Sequence, residues 1–204
     1  MEACVRPTLE STQLYKWLAK KEPSLAHRVA SVRDEQEKWL PLITATYPHY
    51  PGHGVEHSIR IIAQLSLLLF RGTRPVAKFS AAEVYCLLCA ALLHDSGMVI
   101  SPGEVANILD SEPWKKFVAE GQSGHEAFKK YVSLRDGPPQ ESPERTAFLA
   151  DQALRYLVAD FVRRRHHERS KTTLEMHPFL KQLVTNNDSV AFETIAEMLL
   201  ITCF

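Results

Sequence analysis

Apolar residues recur along most of this chain at intervals of three and four, the period of helices with one face turned inward, and no run alternates convincingly at the two-residue period of a strand. The pattern predicts an all-α fold. A first helix is expected over 8–20, with a break at Pro23-Ser24. A second should run from Leu25 to Thr46, with Val29, Val32, Trp39, Leu40 and Ile43 inward and Pro41 distorting its last turns. Two prolines and two glycines make 48–54 a loop. The helix after it, Val55 to Phe70, offers Ile59, Ile62, Leu65, Leu68 and Leu69 as its buried stripe, and a basic turn from Arg71 to Pro75 follows. Ser80 with Glu83 has the spacing of a capping box and opens a helix to His94 that is apolar nearly all round, which places it at the centre of the core.

Beyond His94 the pattern is more broken. Short helices are expected after Ser101-Pro102, around Trp114 to Ala119 and from His125 to Leu134, and the proline-rich stretch 137–143 reads as a loop and a candidate flap. From Glu144 a long helix carries Phe148, Leu149, Ala153, Leu154, Leu157, Val158 and Phe161 inward and runs on through Arg163 to Arg169. A last helix, 189–204, ends on the apolar run Met198 to Phe204, so something is expected to continue or cover it, a protein partner or a second copy among the options.

A length of 204 residues suits one ordinary domain, read as N-terminal helices over 1–46 packed on a main domain over 47–204. Hydrophobic residues make up 45% and charged ones 24%, no apolar run is long enough to span a bilayer, and nothing near Met1 resembles a secretory signal. These features predict a soluble, cytoplasmic protein without membrane partners. Lys and Arg total 24 against 24 Asp and Glu, so net charge gives no indication of nucleic-acid binding, and any phosphate recognition must be local. Cys86 and Cys89 have the spacing of a zinc or redox pair, but their apolar helix makes them small buried hydrophobes, with no second pair to complete a zinc site.

The chemistry lies in the histidines. His57, the adjacent pair His94-Asp95 and the pair His166-His167 form the most distinctive constellation, with His53 four residues before His57, a spacing that shares a helical face where the helix is unbroken. His94 and Asp95 should emerge from the end of the most apolar helix, a rigid and dry base. Imidazole supplies a neutral nitrogen donor, and an aspartate lowers the charge of the site and can bridge two ions, so this set suits a divalent metal: Mn, Fe, Co, Ni, Zn or Mg. Gly97 is read as permitting the turn away from the helix. His125 is a weaker candidate for a second metal, whereas His27, His49 and His177 read as surface or packing residues. Arg163, Arg164 and Arg165 cannot all face one way and read as a solvated basic face.

Over residues 45–204 the sequence resembles the HD superfamily of metal-dependent phosphohydrolases, all-helical enzymes whose motif is a His, a His-Asp pair and a distant Asp. The run His53-Gly54-Val55-Glu56-His57-Ser58 and the run Ala90 to Met98 carry that resemblance. It implies an HD-domain-like helical bundle in which His57, His94 and Asp95 are the first metal ligands. Arg165-His166-His167-Glu168 resembles the His-His element of the two-metal branch, where His166 and His167 bind a second ion or donate a proton and His53 falls at an additional ligand. The implied activity is hydrolysis of a nucleotide or related phosphate ester by metal-activated water, with Asp95, His166 and His167 as the catalytic candidates. Two positions depart from the pattern. Met98 stands where the cyclic-dinucleotide enzymes often have Lys, and only Asp188 follows the His-His element, a poor match to the closing ligand. The chain is therefore expected to stop before that ligand, like the front part of larger bacterial HD proteins of signalling or conflict systems.

Two rivals stand beside this reading. An HD domain without its closing aspartate can serve as a nucleotide or metal sensor or as an assembly module. The run His53 to His57 also fits the inverted zinc-protease pattern, which requires one continuous helix under both histidines; Pro51, Gly52 and Gly54 argue against it.

Overall fold

The computed structural model of the chain describes residues 6–47, 53–101, 103–138, 142–185 and 189–201. Its elements are eleven α-helices among the described residues, two short 3-10 turns and one small hairpin. The 3-10 turn Leu9–Ser11 leads into α1 (Gln13–Lys21), and α2 (Pro23–Trp39) follows, with Pro23 in its first turn, where a missing N–H costs nothing. The helix expected to run through to Thr46 is two helices. The chain bends at Leu40 and restarts as α3 (Pro41–Thr46), because Pro41 takes the first-turn position of a new helix rather than distorting an old one.

Helix α4 (Val55–Leu69) is followed by antiparallel strands Phe70–Arg71 and Arg74–Pro75, with Gly72 at φ 63° in the turn. Its buried face differs from the expected stripe. Leu68 is 72% exposed, and Ser66 is buried instead, accepting from the Leu14 N–H at 3.2 Å and donating to the Ile62 carbonyl at 2.8 Å. The serine satisfies a first-turn amide of α1 that has no partner within its own helix.

Helix α5 (Ala81–Leu93) opens on the Ser80–Glu83 capping box and is buried over most of its circumference, Cys86 and Cys89 included as free thiols. It packs against α1, α2 and α4, so the N-terminal helices share one hydrophobic core with the rest of the chain. The 3-10 turn Ser96–Met98 follows, then α6 (Glu104–Asp110), α7 (Glu112–Val118) and α8 (His125–Asp136). Within the stretch expected as a flap, residues 139–141 lie outside the described residues.

Helix α9 (Pro143–Met176) spans 34 residues and crosses the Ser96–Met98 turn. In its first turns Phe148 and Leu149 are exposed and the inward positions are Thr146 and Ala150, small enough for close packing, while the expected Leu157, Val158 and Phe161 are buried further on. The sequence pattern names no helix over 178–185, where the structure has α10 (Pro178–Thr185), with Leu180 and Val184 buried. Helix α11 (Ser189–Ile201) packs on α5 and α9 and buries Ile195, Ala196 and Leu199 within the chain, leaving Leu200 exposed. Of the run Met198 to Phe204, Leu199 is buried within the chain, and residues 202–204 lie outside the described residues. Among the described residues no helix is long and apolar enough to cross a membrane.

Candidate metal centre

Asp95 stands at the junction that this packing creates. Helix α5 delivers His94 as its C-terminal cap, and Asp95 begins the Ser96–Met98 turn with only 3% of its surface exposed. Four imidazoles converge on its carboxylate. Oδ2 lies 3.0 Å from His53 Nδ1, 3.1 Å from His94 Nε2 and 3.9 Å from His57 Nε2, while Oδ1 lies 3.9 Å from His166 Nε2. Ligand atoms of His53, His57 and Asp95 all fall within 4.8 Å of one another, a His-His-Asp group that could hold a metal ion.

The protonation pattern tests the fit. His94 Nδ1 is 2.9 Å from the Ala91 carbonyl, and His166 Nδ1 similarly faces the Arg163 carbonyl. A carbonyl only accepts, so each Nδ1 carries the proton, and in the neutral ring each Nε2 turns a lone pair toward the Asp95 carboxylate. Lone pairs facing a buried carboxylate repel unless a cation lies between them, and imidazoles oriented by backbone carbonyls are a recurrent arrangement in metal sites. The donor set therefore fits a divalent ion.

Protons alone must otherwise fill that role. Burial works against charge on His94, but the adjacent carboxylate outweighs it and raises its pKa. Burial likewise opposes ionisation of Asp95, yet hydrogen bonds from His53 and His94 hold its pKa far below the usual carboxylate range. For His57 and His166 burial dominates and lowers the pKa, which favours the neutral form that a metal requires.

A second layer fixes the turn. Ser170 Oγ donates to the His94 carbonyl at 2.6 Å and accepts from Gly97 N–H at 2.9 Å. Arg169 donates through Nε to Gly97 O at 2.7 Å and through Nη2 to Val99 O at 3.0 Å, and pairs with Glu104 at 2.6 Å. From the other side Ser96 Oγ donates to buried Gln36 Oε1 at 2.8 Å. Gly97 has no left-handed backbone here. A β-carbon on it would overlap the backbone of His166, Ser170 and, at 2.8 Å, Arg169, so the glycine serves close approach of α9 rather than a sharp turn. None of these groups stands out in the sequence, because their partners lie far away along the chain. Replacing Ser170 by Ala should cost about 1–3 kcal/mol by leaving the Gly97 amide buried without its acceptor, measurable by urea unfolding of the metal-free protein.

The remaining candidates are distributed as follows. His53 reaches Asp95 from ahead of the helix, since α4 begins at Val55 behind an extended Gly54; the four-residue spacing to His57 is not a helical one. Of the His-His pair, only His166 faces Asp95, and His167 Nε2 lies 3.9 Å from Glu168. His125 is taken up by the Val118 carbonyl at 3.1 Å, and His177 packs edge-on against Trp39. Arg163 and Arg164 pair with Asp160, and Arg165 with Glu168. His49 and Asp188 lie outside the described residues.

A model of the HD-CE family, an HD-like domain, matches residues 47–199, a span that contains every ligand candidate. The chain belongs to the HD-CE family. No curated protein and no solved structure matches the chain significantly. The HD-CE span leaves out α1 to α3, although α2 supplies Gln36 to the turn that carries Asp95.

Proposed function

We propose that this HD-CE chain is a metal-dependent phosphohydrolase that cleaves a nucleotide or related phosphate ester. The observation that carries the reading is the convergence of His53, His57, His94 and His166 on the buried Asp95 carboxylate. One or two divalent ions, when bound, supply an acidified water and charge stabilisation at the phosphoryl and leaving oxygens. His53, His57 and His94 share the Oδ2 side of Asp95 and would hold the first position. His166 stands on the Oδ1 side and, with Asp95, would hold a second ion. His167, partly exposed beside it, is the candidate to give a proton to the leaving oxygen.

The test is metal analysis of the purified protein, followed by incubation with Mn²⁺ and bis(p-nitrophenyl) phosphate or a panel of nucleotides. Turnover that chelation removes is the expected result. Bound metal without turnover on any of these would favour a sensor or assembly module, a reading that draws on the single carboxylate in the metal-holding group among the described residues.

The protease alternative is separable by one substitution. Glu56 is exposed on the first turn of α4, and no helix joins it to His53. Glu56→Gln should leave Mn²⁺ affinity and phosphodiester turnover within about twofold of wild type, whereas a protease relying on Glu56 as general base would lose its activity.

A further inference from the structure

A groove of about 650 Å³ lies between the end of α2, helix α6 and the C-terminal half of α9. That is the size of a small-molecule site. None of His53, His57, His94, Asp95 or His166 lines it, so it is a compartment distinct from the metal centre. Two of its walls nevertheless grip the metal-bearing turn: the Trp39 indole donates to Ser96 O at 3.4 Å, and Arg169 holds Gly97 O and Val99 O.

We propose that this groove binds a neutral, flat heterocycle of nucleobase or nucleoside size, and that its occupancy changes metal affinity through Trp39 and Arg169. Three aromatic rings, Trp39, Phe161 and His177, contribute to its lining, Trp39 and His177 meeting edge to face at 5.7 Å, and give a planar ligand apolar contact. The charges in the wall are already matched. Arg169 pairs with Glu104, and Arg165 pairs with Glu168 through Nε at 3.0 Å, so no surplus cation remains to recognise a phosphate. The Asn107 side chain lies in the wall at an exposed position with no side-chain hydrogen bond among the described residues, and its amide offers a donor and an acceptor to the edge of a heterocycle. A ring bound there touches the same indole and guanidinium that position the Ser96–Met98 turn. Coupling is then reciprocal: a ligand that favours one arrangement of the turn alters metal affinity, and the metal alters ligand affinity by the same factor.

The coupling rests on the metal-centre reading, and the groove does not, so the two are tested in separate arms. Adenosine is the probe, since it carries no phosphate ester. Isothermal titration onto the metal-free protein should show saturable binding, and Mn²⁺ titration with saturating adenosine should show an affinity changed by about fivefold or more. Thr172→Trp fills the groove from an exposed position on α9. It should abolish adenosine binding and coupling while leaving Mn²⁺ affinity without adenosine unchanged, with circular dichroism verifying the fold. Asn107→Leu should weaken adenosine about tenfold. The groove proposal is overturned by no saturable binding below about 10 mM, by binding that survives Thr172→Trp, or by adenosine monophosphate binding more tightly than adenosine to the metal-free protein. Unchanged Mn²⁺ affinity overturns the coupling. A protein that takes no Mn²⁺ defeats the metal-centre reading and the coupling with it, and the metal-free adenosine arm still decides the groove.

Discussion

Asp95→Asn should abolish divalent-metal binding while leaving the helical fold in place. The substitution keeps the size of the side chain and removes the single carboxylate on which four imidazoles converge. Loss of a group that merely orients a ligand costs roughly 10- to 100-fold in metal affinity, so loss of the shared carboxylate should cost at least about 100-fold. The effect is measurable without turnover. A metal present at a hundredfold excess over its Kd stabilises the folded state by about 2.7 kcal/mol, which for a chain of this size raises Tm by about 5–10 °C. The variant should show no such rise with Mn²⁺, Zn²⁺ or Co²⁺. Retention of the full rise would remove Asp95 from the metal centre. In the wild type, affinity should increase as pH rises, because a proton competes for the His94 lone pair and the Asp95 carboxylate, outweighing burial, raises the pKa of that imidazole.

Gly97→Val should be the most damaging single substitution at a position outside the ligand set. The backbone of α9 at His166, Arg169 and Ser170 lies where the new side chain must go, and backbone cannot rotate aside as a flexible side chain does. Either α9 moves off the turn or the chain fails to close, at a cost of about 3 kcal/mol or more in urea unfolding. A lesser displacement would still break the Ser170 bridge between His94 O and Gly97 N–H and carry His166 away from Asp95, weakening metal binding. Gly103→Ala is the control, since a β-carbon there meets nothing within 4 Å; its cost should stay at about 1 kcal/mol or less. Equal losses for the two variants would show that close approach is not why glycine stands at position 97.

The centre was legible in the sequence to different depths at different residues. His94 and Asp95 stand out because a rigid apolar helix ends on them, and the helix ends where the pattern places it. His53 was harder: its spacing to His57 points to a shared helical face, but an extended Gly54 caps the helix and His53 precedes it. His166 and His167 are indistinguishable as neighbours in a motif. The rotation of α9 about its axis separates them, and that rotation is set by Val158, Val162 and Leu174 entering the core. The buried stripes were misjudged at Leu68, Phe148 and Leu149 for one reason: hydrophobicity marks a preference for burial, and neighbouring helices decide which apolar positions are covered.

The amino-acid pattern by itself determined the helical class, most helix boundaries and the capping box at Ser80, because these rest on contacts between residues a few positions apart, and it marked the candidate ligands by residue type. Only the tertiary structure decided which imidazoles meet Asp95, why position 97 is glycine, and that Arg169 and Ser170 clamp the turn beneath the site. The clamp contacts join residues 70 or more positions apart, Arg169 with Gly97 and Val99 and Ser170 with His94, and they exist only because α9 crosses the end of α5 at one particular distance and angle. Local periodicity carries no information about where two helices cross, and at that crossing the turn that carries Asp95 is held.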